Sequence, residues 1–279
     1  MSQDVVPRIV AIHGAPRSGT SWLGQLFNSN EHVAYRYQPL FSHTFRGRID
    51  TSSDKPELAR FFADLLATDD PFVLQRGAAA LAGYELIFAK SGISHLVYKE
   101  VRFHDLLPHL IEQLPELQAV GIVRDPRAVI RSWTAAPREF REEWDLEHEW
   151  RHAPAKNAGR QENWYGFERW KALAELFLRL RDRFPGRFTL IRYEALVERP
   201  ERVLQMLFDR CGLTVTRQVG EFLRRSQNEQ DSSPYGVFRK VRGARRLDAL
   251  IPSIALSIEQ ELQGSALEQF LDPSLAAGP

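Results

Sequence analysis

Apolar and polar positions along the chain follow two alternating patterns, one typical of buried strands and one of amphipathic helices. Strands are predicted at 8–13, 32–37, 95–99, 117–123 and 188–193. Helices are predicted at 19–28, 56–68, 104–114, 126–134, 161–184 and 201–210. Short apolar strands that alternate with helices are typical of βα units around a parallel sheet. We therefore expect an α/β fold with a doubly wound parallel sheet.

The chain contains no internal repeat and no Gly/Ser-rich linker that would divide it. We therefore predict a single domain over 1–279, with a core at about 8–262 and a loose C-terminal tail at 264–279. The stretch 135–159 is charged and contains tryptophan without a clear period. This stretch is predicted to be a long loop with short helices.

Composition excludes several classes of protein. The 279 residues carry 37 Lys+Arg against 36 Asp+Glu, and a net charge of +1 is not typical of a protein with a nucleic-acid partner. The sequence has no apolar run near the roughly 18 residues of a membrane span. The single cysteine, Cys211, excludes an internal disulfide and favours the cytoplasm. His, Cys and Asp residues show no metal-ligand spacing, so no metal site is expected.

The segment after the first strand has the form of an anion-binding loop. Gly14 and Gly19 have the spacing of the Walker A pattern, but Thr20 stands at the position of its lysine. Arg17 supplies a cation within the loop instead. Backbone N–H groups in a strand-to-helix turn point at an anion, and the helix N-terminus favours negative charge. The altered loop favours an anion bound without the usual arrangement of lysine and magnesium. Taken alone, the loop is also explained by a plain glycine-containing turn between a strand and a helix.

A second candidate anion site lies where the strand 117–123 leads into the next helix. Arg124 ends the strand and Ser132 lies two turns along the helix. An arginine fork and a serine hydroxyl can both donate hydrogen bonds to one phosphate. Taken alone, this segment is explained equally well by a helix-capping Asp125 among solvated arginines.

The two segments together resemble those of the sulfotransferases that use 3′-phosphoadenosine 5′-phosphosulfate (PAPS). The carbohydrate-type branch is the most similar, because Lys99 to Arg102 resembles its K-x-x-R element and Tyr193 opens an element like its Y-E-D-L. The resemblance covers about 8–262. It implies that the first loop binds the 5′-phosphosulfate and that Arg124 and Ser132 bind the 3′-phosphate.

The resemblance also implies roles for other residues. The residues expected to bind the nucleotide are Arg17, Ser18, Gly19, Thr20, Ser21, Trp22, Arg124, Ser132, Tyr193 and Arg239. Arg17 and Lys99 are the cations expected to act in catalysis, Arg17 by stabilising charge on the bridging oxygen. For Trp22 and Tyr193, packing in the core is an alternative role.

The general base is not evident from the resemblance. Gln38 stands where carbohydrate-type members often have glutamate, and Val101 stands where the cytosolic branch has histidine. An amide cannot take a proton. Glu100 and His43 are therefore the leading candidates, followed by His104.

The sequence thus predicts a PAPS-dependent sulfotransferase that acts on a hydroxyl of a saccharide or other small metabolite. Two alternatives stay open, namely a phosphotransferase with a degenerate Walker loop and a non-catalytic module that binds 3′-phosphoadenosine 5′-phosphate (PAP). Golgi members of the family have an N-terminal membrane anchor. In this sequence the first predicted strand begins at residue 8, which leaves little room for one, so a cytoplasmic, bacterial enzyme is expected.

Overall fold

The computed structural model describes residues 7–77, 86–230, 233, 235–238 and 252–272. Within them, five strands form one parallel sheet in the order β2-β3-β1-β4-β5. The strands are β1 (Arg8–Gly14), β2 (Val33–Tyr37), β3 (His95–Glu100), β4 (Gln118–Val123) and β5 (Phe188–Arg192). Because β1 lies between β3 and β4, the chain turns to opposite sides of β1, and such a reversal opens a crevice at the carboxyl ends of the strands.

Helices connect the strands and extend the chain after β5. They are α1 (Thr20–Asn28), α2 (Lys55–Ala67), α3 (Pro71–Leu74), α4 (Leu107–Gln113), α5 (Pro126–Thr134), α6 (Leu146–His152), α7 (Pro154–Asn157), α8 (Phe167–Arg183), α9 (Tyr193–Glu198), α10 (Pro200–Cys211), α11 (Arg217–Asn228) and α12 (Pro252–Leu262). Short 3-10 turns occur at Pro39–Phe41, His104–Leu106 and Glu268–Phe270.

The alternating side chains of β1 show how the core is divided. Ile9 and Ala11 pack on one face of the sheet with residues of α2, α4 and α8, whereas Val10 and Ile12 pack on the other with α1, α10 and α11. Successive strand residues point to opposite faces, so a strand with apolar residues at every position is buried on both sides. Helices on both faces of a parallel sheet confirm the predicted single-domain, doubly wound α/β fold.

Two predicted elements have different bounds in the structure. The helix predicted at 161–184 begins only at Phe167, because Asn157 hydrogen bonds to both backbone groups of Tyr165 and holds that segment outside a helix. The strand predicted at 188–193 ends at Arg192, and Tyr193 opens the short helix α9.

The segment 264–272, predicted as part of a loose tail, packs on the domain in the structure. Phe270 is 2% exposed, and its ring lies against Trp170. The Asp272 N–H donates to Asp125 Oδ2 at 2.6 Å, at the start of α5. This segment is therefore held by both apolar and polar contacts.

Candidate active site

The loop between β1 and α1 lies at the centre of the carboxyl edge of the sheet, and its two glycines are required by close packing. A Cβ on Gly14 would lie 2.7 Å from the Ile122 side chain. Gly19 has a φ of 92°, and a Cβ there would overlap the Tyr193 ring. Glycine alone adopts such a backbone at little cost. Both positions predicted from sequence as loop glycines thus fix the path of the loop.

The loop presents hydrogen-bond donors to its concave side. The first N–H groups of α1 have no preceding turn to accept their hydrogen bonds, and this end of the helix favours negative charge. Ser18 is fully buried, and its hydroxyl has no hydrogen-bond partner among the described residues. A buried, unpaired hydroxyl is costly unless a ligand satisfies it. The loop therefore has the donors that a phosphate or sulfate group needs.

Arg17 joins the loop to the second predicted anion site. Its backbone has a φ of 70°, and its Nε donates to Ser132 Oγ at 3.2 Å. Arg124 extends from the end of β4 and donates from its guanidinium to the Arg17 carbonyl at 3.0 Å. The side chains predicted to bind two separate phosphates therefore belong to one hydrogen-bonded group.

The turn from β5 into α9 supports Arg124. Its guanidinium carbon lies 4.5 Å from the centre of the Tyr193 ring, within range of a cation–π contact. Glu194 Oε1 accepts the Asp125 N–H at 3.0 Å, and Asp125 in turn caps α5. Tyr193 and Glu194 thus hold the strand end that carries Arg124.

Lys99 places a further cation beside the loop. It is 2% exposed, its Nζ lies 3.5 Å from Ser21 Oγ, and the same nitrogen lies 4.4 Å from the centre of the Tyr37 ring. Burial lowers the pKa of Lys99 to about 7. A bound anion would favour the charged ammonium, since an opposite charge at short range stabilises it.

These groups line one open cleft. Four cations line it, namely Arg17, Lys99, Arg102 and Arg124. The cleft can therefore hold a ligand with more than one anionic group.

Comparison with known proteins identifies the family. A model described as "Sulfotransferase family" matches residues 7–217. The chain belongs to the sulfotransferase family.

Two curated carbohydrate sulfotransferases are among this sulfotransferase's relatives. It is 33% identical to human carbohydrate sulfotransferase 5 over 165 residues, which cover 55% of this chain and 36% of the relative. It is 30% identical to the mouse protein of the same name over 197 residues, which cover 64% of this chain and 48% of the relative. The matches thus span less than half the length of these relatives.

Solved sulfotransferase structures share the fold. Mouse SULT7A1 complexed with PAP has a TM-score of 0.55 at 12% identity, covering 93% of this chain and 85% of that one. A sulfotransferase from Alicyclobacillus acidocaldarius has a TM-score of 0.53 at 16% identity, covering 96% and 98%.

Most of the sequence-predicted nucleotide residues come together in the cleft. The cleft-lining residues among them are Arg17, Gly19, Thr20, Ser21, Trp22, Arg124, Ser132 and Tyr193. Ser18 is buried at the loop and Arg239 lies outside the described residues. The Trp22 indole is 3% exposed and donates to Ser226 Oγ at 2.9 Å. Trp22 therefore packs mainly in the core beneath α11.

The predicted base candidates do not line the cleft. Glu100 is fully buried, and one of its oxygens accepts the Leu40 N–H at 2.9 Å. Burial raises the pKa of Glu100 to about 8, so this carboxyl is mainly neutral near pH 7. His43 is exposed and does not line the cleft. Both predicted catalytic cations, Arg17 and Lys99, do line it.

His104, the third base candidate, lies in the core. It is fully buried, and its Nδ1 is 3.0 Å from the Nδ1 of His13. Burial holds the pKa of His104 well below its ordinary value. The imidazole stays neutral and faces Trp164 and Phe177 instead of the cleft.

A polar wall of the cleft was only partly signalled by the sequence. Arg102 donates to Gln38 Oε1 at 2.9 Å and to Asn163 Oδ1 at 3.0 Å. Tyr165 and Glu139 complete this wall, which we call the acceptor wall. No periodicity marks Glu139 and Tyr165, whereas Gln38 and Arg102 occupy motif positions and gave a partial signal.

Among the described residues, no helix is long and apolar enough to cross a bilayer. The same residues contain no group of three His, Cys, Asp or Glu side chains that could hold a metal ion.

Proposed function

We propose that this protein transfers a sulfuryl group from PAPS to a hydroxyl of a saccharide or other small metabolite. The observation that carries the proposal is the hydrogen-bonded group of Arg17, Ser132 and Arg124, which links two anion-binding positions within one cleft. PAPS has anionic groups at two such positions, on its 5′ and 3′ sides. Mouse SULT7A1, which has the same fold, was solved with PAP.

The residues present fit PAPS as co-substrate. The buried Ser18 hydroxyl lacks a partner within the described residues, and four cations surround the cleft. We propose that the loop 14–21 holds the phosphosulfate and that Arg124 and Ser132 hold the 3′-phosphate. Arg239, which lies outside the described residues, stays a predicted nucleotide-binding residue. PAPS supplies the sulfuryl group, and its phosphate is the leaving group.

Transfer then depends on positioning and on charge. Arg17 is fixed by Ser132 and can stabilise negative charge without releasing its own proton. Lys99 approaches the loop from β3, and its pKa of about 7 allows it to donate a hydrogen bond or a proton to the leaving oxygen. Arg102, Gln38 and Tyr165 form the wall against which an acceptor with several hydroxyls can bind.

Binding and transfer assays test this function. Isothermal titration calorimetry should show that PAP binds in the presence of EDTA, and that ATP with Mg²⁺ binds more weakly. Arg124→Ala should weaken PAP binding about 10- to 100-fold, since hydrogen bonds to charged groups contribute about 1.5–3 kcal/mol. Labelled PAPS should then transfer sulfate to some members of a glycan and metabolite panel.

Other outcomes would favour the alternatives. Binding of ATP with Mg²⁺ and not of PAP would indicate a phosphotransferase. Tight PAP binding without transfer to any acceptor would indicate a non-catalytic module. The cytoplasmic location and bacterial origin stay predictions, as does the identity of the acceptor.

A further inference from the structure

The acceptor wall contains one carboxylate, that of Glu139. Glu139 follows α5, and its backbone is fixed because its N–H donates to the Ala136 carbonyl at 2.8 Å and its carbonyl accepts from Trp133 Nε1 at 3.0 Å. Its Oε2 atom is buried and lacks a hydrogen-bond partner within the described residues. Of the cleft-lining residues that the structure describes, Glu139 alone carries a carboxylate.

Glu139 lines the cleft together with Lys99 and Tyr165. Burial is the main cause of the raised pKa of Tyr165, and the Glu139 carboxylate raises it further. At Lys99, burial lowers the pKa, while Glu100 and Glu139 act in the opposite direction. The carboxylate therefore lies within electrostatic range of both the acceptor wall and the cation beside the loop.

An unpaired buried carboxylate oxygen is unfavourable unless a ligand donates to it. The sulfate and phosphate groups of the co-substrate cannot donate to it, but a hydroxyl on the acceptor can. Gln38 cannot take a proton, and its oxygen already accepts from Arg102. Glu100 lies behind the cleft wall and bonds to the Leu40 backbone. Glu139 is thus the group with both the chemistry and the access of a general base.

We propose that Glu139 takes the proton from the acceptor hydroxyl during sulfuryl transfer, a role that rests on the proposed function. As the acceptor oxygen forms its bond to sulfur, the bond between sulfur and the bridging oxygen breaks. The electron pair of that broken bond stays on the phosphate of PAP. The hydroxyl proton moves to Glu139 Oε2.

The test compares Glu139→Gln with Glu143→Gln, a matched control in the same segment. The Glu143 side chain is 67% exposed. Its carboxylate lies 3.6 Å from the guanidinium of Arg141, which is also exposed. Both variants are assayed with methyl glycosides of glucose, galactose and N-acetylglucosamine, and with p-nitrophenol at about pH 8. The PAP affinity of each is measured by calorimetry.

Glu139→Gln should lower the transfer rate to the glycosides about 10²-fold or more, the range that general-base catalysis contributes. The loss with p-nitrophenol should stay below about fivefold, because this acceptor is already ionised and needs no base. PAP should bind unchanged or a few-fold more tightly, since a negative charge has left the cleft. Glu143→Gln should behave as the wild type in all three measurements.

Equal losses with glycosides and p-nitrophenol, or weaker PAP binding, would assign Glu139 a structural role and overturn the proposal. Wild-type rates in Glu139→Gln would also overturn it. If no glycoside is accepted, the slow hydrolysis of PAPS provides the hydroxyl of water as acceptor, and the same loss is expected there. Failure of the wild type to bind PAP would instead refute the proposed function.

Discussion

Replacing His13 by glutamine should remove part of the protein's sensitivity to acid. His13 is 1% exposed and shares a short Nδ1–Nδ1 contact with His104 beneath the carboxyl edge of the sheet. Burial lowers the pKa of His13 from 6.5 to about 3. The unfolded chain therefore takes up a proton at His13 below about pH 6.5, whereas the folded protein does so only near pH 3.

The sign and size of the effect follow from this difference. Because the unfolded state binds the proton first, the free energy of unfolding falls as the pH falls from about 6.5 towards 3. Each pH unit well inside this window corresponds to about 1.4 kcal/mol, so His13 should contribute a loss of about 2 kcal/mol between about pH 7 and 5. Full stability from this group is present above the unfolded pKa.

Urea unfolding of the wild type and His13→Gln at several pH values measures this contribution. The two stability curves should converge by about 2 kcal/mol between about pH 7 and 5. Phe177→Leu is the matched control, since Phe177 also packs on His104 but has no titratable group. Its stability difference from the wild type should not change with pH. A constant difference for His13→Gln would show that His13 does not stay neutral in the fold.

Three other substitutions test the loop and its supports. Gly19→Ala should abolish measurable PAP binding, because its Cβ would overlap the Tyr193 ring and alanine is unfavourable at this positive φ. PAP binding at wild-type affinity in calorimetry would contradict this prediction. Tyr193→Ala should weaken PAP binding about 3- to 30-fold, because the ring beside Arg124 is lost. Tyr193→Phe keeps a ring there and should bind PAP as the wild type does. Equal PAP affinities of the two variants would exclude a cation–π contribution from Tyr193. Lys99→Met should raise the free energy of unfolding near neutral pH, since burial of the charged ammonium is unfavourable, while it greatly slows sulfate transfer. The gain should shrink as the pH rises from about 7 towards 10.5, where the folded lysine is neutral, and a pH-independent gain in urea unfolding would refute this.

The sheet and the positions of the two segments that we propose to bind anions could be predicted because their signals are local. A buried strand followed by Gly14 and Gly19 indicates a loop at a helix N-terminus. Asp125 followed by proline indicates the start of a helix immediately after Arg124. Each signal lies within about a dozen residues, so the sequence alone contains it.

The acceptor wall and the core histidines depend on contacts between distant segments. His13 and His104 are 91 positions apart, and no pattern in either segment indicates their pairing. Glu139 follows a helix in a stretch without periodicity, and hydrogen bonds to Ala136 and Trp133 hold its backbone at the cleft. The late start of α8 similarly results from hydrogen bonds made by Asn157. Tertiary contacts decide these features.

The hydrogen bond from Arg124 to the Arg17 carbonyl has a consequence for nucleotide selection. This bond fixes the distance between the loop and the Arg124 side chain. The hydrogen bond from Arg17 Nε to Ser132 Oγ ties the loop to α5 as well. If the protein binds PAPS as we propose, these two hydrogen bonds set the separation between the two anionic groups that it accepts. We therefore expect a nucleotide with a single linear chain of phosphates to contact only one of the two positions and to bind more weakly than PAP.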